Sequence, residues 1–113
     1  MACLAHSFHR IYPQEHYKTA SDIDKQGALV TDFLSGAVFS HSNFSRRNRL
    51  IAGMAHATVV IESGVKGGSM NTADLAHQYG RELFAVPAPP SDHKSAGCHQ
   101  LLLQQKAQLL TDP

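Results

Sequence analysis

Short apolar runs alternate with longer segments of helical periodicity along this chain, and turn-forming Gly, Pro and Ser residues separate them. The first run, Ala2 to Ala5, predicts a short strand. A helix is then entered at Pro13, a residue favoured in the first turn, and ends at Gly27. Ala28-Leu29-Val30-Thr31 reads as a buried strand, and a polar loop from Ser35 to Ser42 leads to a helix from about Asn43 to His56. Ala57-Thr58-Val59-Val60-Ile61 is the clearest strand, β-branched and polar only at Thr58. The glycine-rich loop Glu62 to Ser69 opens a helix from about Met70 to Tyr79, which Gly80 closes with a left-handed cap. Leu83-Phe84-Ala85-Val86 forms another strand, and Pro87 to Pro90 lead the chain off the sheet into a loop reaching Gly97. A last helix and a short apolar tail, Leu109-Leu110, follow. This alternation predicts a three-layer α/β fold with a mainly parallel sheet covered by helices. Four strands make a small sheet, so an uncovered edge or face is expected, and with it either pairing with another chain or membership of a larger sheet.

Composition narrows the class. A chain of 113 residues, 42% hydrophobic and 17% charged, matches one globular domain with one core. It contains neither a run of eighteen apolar residues nor a basic segment leading into an apolar one, so no membrane span or secretory signal is read and the cytoplasm is the expected compartment. Cys3 and Cys98 are far apart, with neither a disulfide framework nor zinc spacing, and suit a reducing compartment. The eight histidines lack a helical metal pair. His6 with His9, and His93 with Cys98 and His99, are the sets nearest to metal spacing, but ordinary hydrogen-bonding roles are the preferred reading and no metal or cofactor is expected. A net charge of +1 gives no bulk attraction for nucleic acid, so any such role must come from local clustering.

That clustering occurs in Phe44-Ser45-Arg46-Arg47-Asn48-Arg49. On a helical wheel Arg47 shares a stripe with Leu50, Ile51, Met54 and Ala55, the face expected to pack on the sheet. A guanidinium on a packed face needs an anion: a bound ligand, or a carboxylate such as Asp32 or Glu62. Arg46 and Arg49 fan to other sides of the turn, with the Asn48 amide among them. Three like charges at a helix amino terminus oppose its dipole, which a phosphate chain would relieve.

Lys66-Gly67-Gly68-Ser69 lies between a strand and a helix, where glycine lets the backbone approach an anion and free helix N–H groups can hold it. It is neither a Walker A loop nor GxGxxG, and the alternative is a plain strand-to-helix connection. Two anion-suited turns after adjacent strands point to one extended phosphate site. Phe44 beside the arginines suits stacking on an unpaired base, or else a hydrophobic staple at the helix start; His41 adds a partial charge nearby. No nucleophile with a base and no carboxylate pair is recognisable, so the expectation is a binding protein and not an enzyme. A nucleotide-binding or nucleotide-cleaving enzyme of this fold class is the alternative.

These residues resemble the DNA-processing protein A family, also called DprA or Smf. The family pattern F-P-x-R-N-R-I-I-A-G-L-S is similar to Phe44 through Ala55, and K-S-G-S-L-I-T-A is similar to Lys66 through Ala73. Arg10-Ile11-Tyr12-Pro13, Gly80 through Pro87, and Ser95 through Leu101 extend the resemblance. It implies the carboxyl half of a Rossmann-like domain that binds single-stranded DNA, protects incoming strands in natural transformation, forms a homodimer and loads a RecA-type recombinase. By motif position it implies Arg47, Asn48 and Arg49 as the phosphate pocket and Phe44 as the base-stacking residue. Lys66, Gly68 and Ser69 would supply backbone contact, and His41 stands where some relatives have lysine.

The chain departs from the family at Thr31-Asp32, Gly67, Ala88, His99 and Lys106-Ala107. Ala88 replaces a glycine, which matters if the turn after the last long strand needs a positive φ. The family's earlier βα units are expected before Met1, which makes this chain a fragment carrying half of the DNA groove, with lower affinity of its own and a sheet edge prone to self-association. A remnant without function is the remaining alternative.

Overall fold

The computed structural model describes residues 1–112. The chain divides into two compact units, one covering Met1–Arg47 and the other starting at Asn48. The first opens with β1 (Ala2–Cys3), which pairs in parallel with β2 (Leu29–Val30). Between them, a 3-10 turn over Gln14–His16 runs into α1 (Tyr17–Gln26). The expected helix therefore begins as a tighter turn just after Pro13 and ends, as expected, at Gly27, whose N–H reaches the Ile23 carbonyl at 2.7 Å. Ala2, Leu4, Ile11, Ile23 and Leu29 line a small apolar pocket of this unit. α2 (Ser42–Met54) begins in the first unit and continues into the second.

The second unit holds β3 (Ala57–Val60), α3 (Gly68–Gln78), β4 (Glu82–Ala85), α4 (Ala96–Leu103) and β5 (Gln108–Leu109). Its strands form one parallel sheet in the order β3-β4-β5. The expectation of four strands is corrected to five short ones in two sheets, among the described residues. The added strand comes from the apolar tail: Gln108-Leu109 is too short to show periodicity, but it aligns with Phe84-Ala85, and the Leu110 N–H bonds the Ala85 carbonyl at 3.0 Å. β3 is an edge of its sheet, with Val59 and Ile61 exposed, as the small sheet predicted.

Val60, Leu83 and Ala85 from the strands, Met70 and Ala73 from α3, and Cys98 and Leu101 from α4 make the core. Their order follows from short β-branched and apolar strands feeding helices that pack back on them. α3 ends as the pattern predicted: Gly80 has φ +70°, its N–H bonds the His77 carbonyl, and Arg81 bonds the Ala76 carbonyl. This is a Schellman motif, which absorbs the last helical carbonyls. α4 ends in the same way, with a glutamine in the glycine's place. Gln105 has φ +58° and bonds Leu102, while Lys106 bonds Leu101. Ala88 is not among the positive-φ residues, so its turn accepts alanine in place of glycine.

The wheel reading of α2 needs correction. Ile51 and Met54, expected against the sheet, are 38% and 49% exposed, and the buried positions on this helix are Asn43, Asn48 and Ala52. The wheel identified the most apolar stripe, but small Ala52 and an amide allow the closer approach, so the helix turns that side inward.

Candidate nucleic-acid interface

The expected site residues fall into two groups, one in each unit. In Met1–Arg47, Phe44 and Arg47 share the first turns of α2, and the Arg47 guanidinium lies over the Phe44 ring, 5.8 Å from its centroid. Arg47 also donates to the Cys3 carbonyl at 2.8 Å. A main-chain oxygen at the end of β1 thus accepts one of the guanidinium's N–H groups, and this bond fixes the start of α2 to the strand. Arg46 is exposed and lies 5.2 Å from the centre of the buried Phe33 ring, a cation–π distance.

Phe44 belongs to an aromatic group and not to a simple staple. Its ring is 6.1 Å from the imidazole of exposed His41, stacked at 30°, and 5.9 Å from Phe39, edge-on at 83°. Tyr12 joins them, 4.6 Å from Phe39 and 6.5 Å from Phe44. The loop that brings Tyr12 there is held by His6. This imidazole makes two hydrogen bonds that settle its tautomer: Nδ1–H donates to the Ser7 carbonyl at 2.9 Å, and Nε2 accepts the Tyr12 N–H at 3.2 Å. His9 Nδ1 bonds the Ser7 hydroxyl, and Thr31 ties the same loop to β2 by donating to the His6 carbonyl at 2.7 Å.

In the second unit, Asn48 is buried and its amide donates to the Gly68 carbonyl over a long 3.5 Å. It therefore positions the glycine turn, while Arg49 on the next residue is exposed. Lys66, Gly68 and Ser69 are exposed and Gly67 is half-buried. Gly67 caps α3 with an extended backbone, and a Cβ there would lie 3.0 Å from the Ser63 hydroxyl. A Cβ on Gly68 would meet open space, so no neighbour within the chain demands glycine at that position. The first turn of α3 begins there, the usual setting for an anion, although its Met70 N–H is already taken by the Gly67 carbonyl at 3.1 Å. Gly97 is the tightest point of the unit: its N–H bonds the Ser63 carbonyl at 2.8 Å, and a Cβ would come within 2.5 Å of the Gly64 carbonyl.

In the histidine and cysteine sets near metal spacing, His6 and His9 bond within their own loop, and Cys98 and His99 bond main-chain carbonyls. Cys98 Sγ donates to the Val60 carbonyl, and His99 donates to the Ala88 carbonyl at 2.9 Å. Among the described residues no group of three His, Cys, Asp or Glu side chains is placed to hold a metal. Burial pushes the Cys98 thiol above its ordinary range. No described helix is long and apolar enough to cross a membrane.

Tyr12, Phe39 and the Arg47–Cys3 bond are the features that sequence reasoning missed. The aromatic spacing Phe39-x-His41-x-x-Phe44 was a usable signal for Phe39. A bond between residues 44 positions apart left none.

Short parallel strands joined by helices, with a glycine turn opening α3 and an arginine-bearing helix α2, define a Rossmann-like α/β protein with anion-suited turns. Comparison makes this specific. The chain belongs to the DNA recombination-mediator protein A family, whose profile matches residues 1–113. It is 40% identical over 98% of its length to a putative DNA processing protein DprA of Mycobacterium tuberculosis, and 38% identical over its whole length to protein Smf of Escherichia coli. It spans 28% and 30% of those two relatives. Among solved structures, DNA processing protein A of Helicobacter pylori, described for its single-stranded DNA binding mode, superposes with a TM-score of 0.88 at 26% identity. That match covers 97% of this chain and 50% of the other. DprA of Streptococcus pneumoniae superposes with a TM-score of 0.80 at 31% identity, covering 90% of this chain and 36% of that one.

Proposed function

We propose that this chain is a single-stranded DNA-holding part of a DNA-processing protein that serves natural transformation, protecting incoming strands and passing them to a RecA-type recombinase. The observation that carries the reading is the Phe44–Arg47 pair, an aromatic face and a guanidinium 5.8 Å apart on one turn, amid exposed Arg46 and His41. Stacking on a ring and pairing with phosphate are the two contacts that hold an unpaired strand without reading its sequence. In the second unit, exposed Arg49 and Lys66 and the open backbone at Gly68 and Ser69 supply phosphate contacts, with Gly67 capping the helix that presents them. Asn48 acts by holding the Gly68 turn.

The single-stranded DNA binding described for the Helicobacter pylori protein supports this ligand, and the family's description as recombination mediators supports the recombinase as recipient. A homodimer in the cytoplasm, working without catalysis or cofactor, completes the reading. The place of β3 at an edge of its sheet, with Val59 exposed, supports self-association.

Anisotropy titration of a labelled oligothymidylate at low and moderate salt tests the proposal. Binding should weaken steeply with salt, and Arg46→Ala should reduce the slope of log K against log salt by about one unit. Undetectable or salt-insensitive binding rejects it.

A further inference from the structure

Two large rings outside the expected site remain accessible: Tyr12 is 43% and Phe39 is 40% exposed, although each touches another ring of the aromatic group. A cluster serving only as core would bury them, since each ring withdraws a large apolar area from water. Beside the pair opens a cavity of about 110 Å³, lined by His6, His9, Arg10, Tyr12, Ala37 and Phe39. Its polar wall has one uncommitted cation. His6 uses both ring nitrogens within the loop and His9 bonds Ser7, whereas exposed Arg10 has no carboxylate partner among the described residues. A guanidinium on a small cavity beside two partly exposed aromatic residues is complementary to a phosphate attached to a planar base.

We propose that Tyr12 and Phe39 form a second base-stacking platform next to Phe44, with Arg10 holding the phosphate of the nucleotide stacked there. The inference rests on the single-stranded DNA reading and extends its contact by one nucleotide. Ring centroids 5.9 Å and 6.5 Å from Phe44 put the platform within the reach of an adjoining, partly unstacked nucleotide. The cavity is too small to take a base as well, so the base lies on the outer ring faces and only the phosphate enters.

The test scans an oligothymidylate for sensitivity to single abasic positions, using the unsubstituted chain first. Two neighbouring positions should each lower affinity by about tenfold, a typical worth for one stacked base. In Tyr12→Leu/Phe39→Leu one of the two should lose its sensitivity while the other keeps it, and Tyr12→Phe should retain both because the ring face is kept. Arg10→Ala should lower the salt slope by about one unit. A mononucleotide should bind far more weakly than the strand; equal binding would mean a free-nucleotide pocket and would overturn the inference. A single abasic-sensitive position that depends on Phe44 also overturns it and leaves the single-stranded DNA reading standing. No binding by the unsubstituted chain overturns both.

Discussion

From Asn48 onward the buried side chains are mostly apolar and meet in one cluster of strand and helix residues, whereas in Met1–Arg47 the buried apolar residues are Ala5 and Phe33, and α1 buries none. The first unit buries His6, Ser7 and Asn43 in their place. Its conformation therefore depends on particular hydrogen bonds, such as Tyr12 to His6, Thr31 to His6 and Arg47 to Cys3, more than on buried area. The second unit is a small packed sheet that tolerates little change in volume. The second unit has the sturdier scaffold beneath its share of the site residues, whereas the first carries an aromatic and cationic surface on loops and the start of α2 with little core beneath it.

Substitutions in the two units should expose this contrast, and the largest effect belongs to the packed one. Gly97→Ala would drive a Cβ to 2.5 Å and 2.7 Å from two backbone carbonyls, and urea unfolding should show a loss of about 3 kcal/mol. Leu101→Ala, at a residue 1% exposed, should cost a similar ~3 kcal/mol. Half-buried Ile23→Ala in α1 should cost only about 1 kcal/mol, being already partly in water. Equal losses at 101 and 23 would break the contrast. His6→Ala should cost about 2 kcal/mol through two lost hydrogen bonds, and amide exchange should quicken at Tyr12 while the β4 amides stay protected.

A smaller effect has the opposite sign. Gln105→Gly should stabilise the protein by about 1 kcal/mol, because glycine adopts the left-handed cap without the penalty glutamine bears there. The smallest effect concerns pH. Burial raises the Cys98 thiol, with nearby Glu62 adding to the shift, so the folded chain keeps a proton that the unfolded chain releases. Stability is thus unaffected below the ordinary thiol range and falls as pH rises above it. Cys98→Ala should flatten that alkaline decline in melts followed by circular dichroism; an unchanged decline would assign it to other groups.

Much of the second unit was legible in the chain because its signals are local. The β-branched run at 57–60, the glycine closing α3 and the Pro-rich exit from β4 each act within a few residues. β5 escaped because two residues have no period, and the buried side of α2 was misjudged because hydrophobicity ranked Ile51 above Ala52 where closeness of approach decided. In the candidate site, the residue types of Phe44 through Arg49 showed an aromatic beside cations, but not which of them would be exposed.

By itself the sequence determined the alternation of elements, their parallel class and the turns that close them, since propensity, periodicity and glycine freedom are properties of neighbouring residues. Only the tertiary structure decided that Arg47 meets the Cys3 carbonyl, that Asn48 turns inward to Gly68, that Gly97 seats against the loop after β3, and that Tyr12 and Phe39 join Phe44. These contacts join residues far apart in the chain or set the rotation of a helix, and both depend on how whole elements pack.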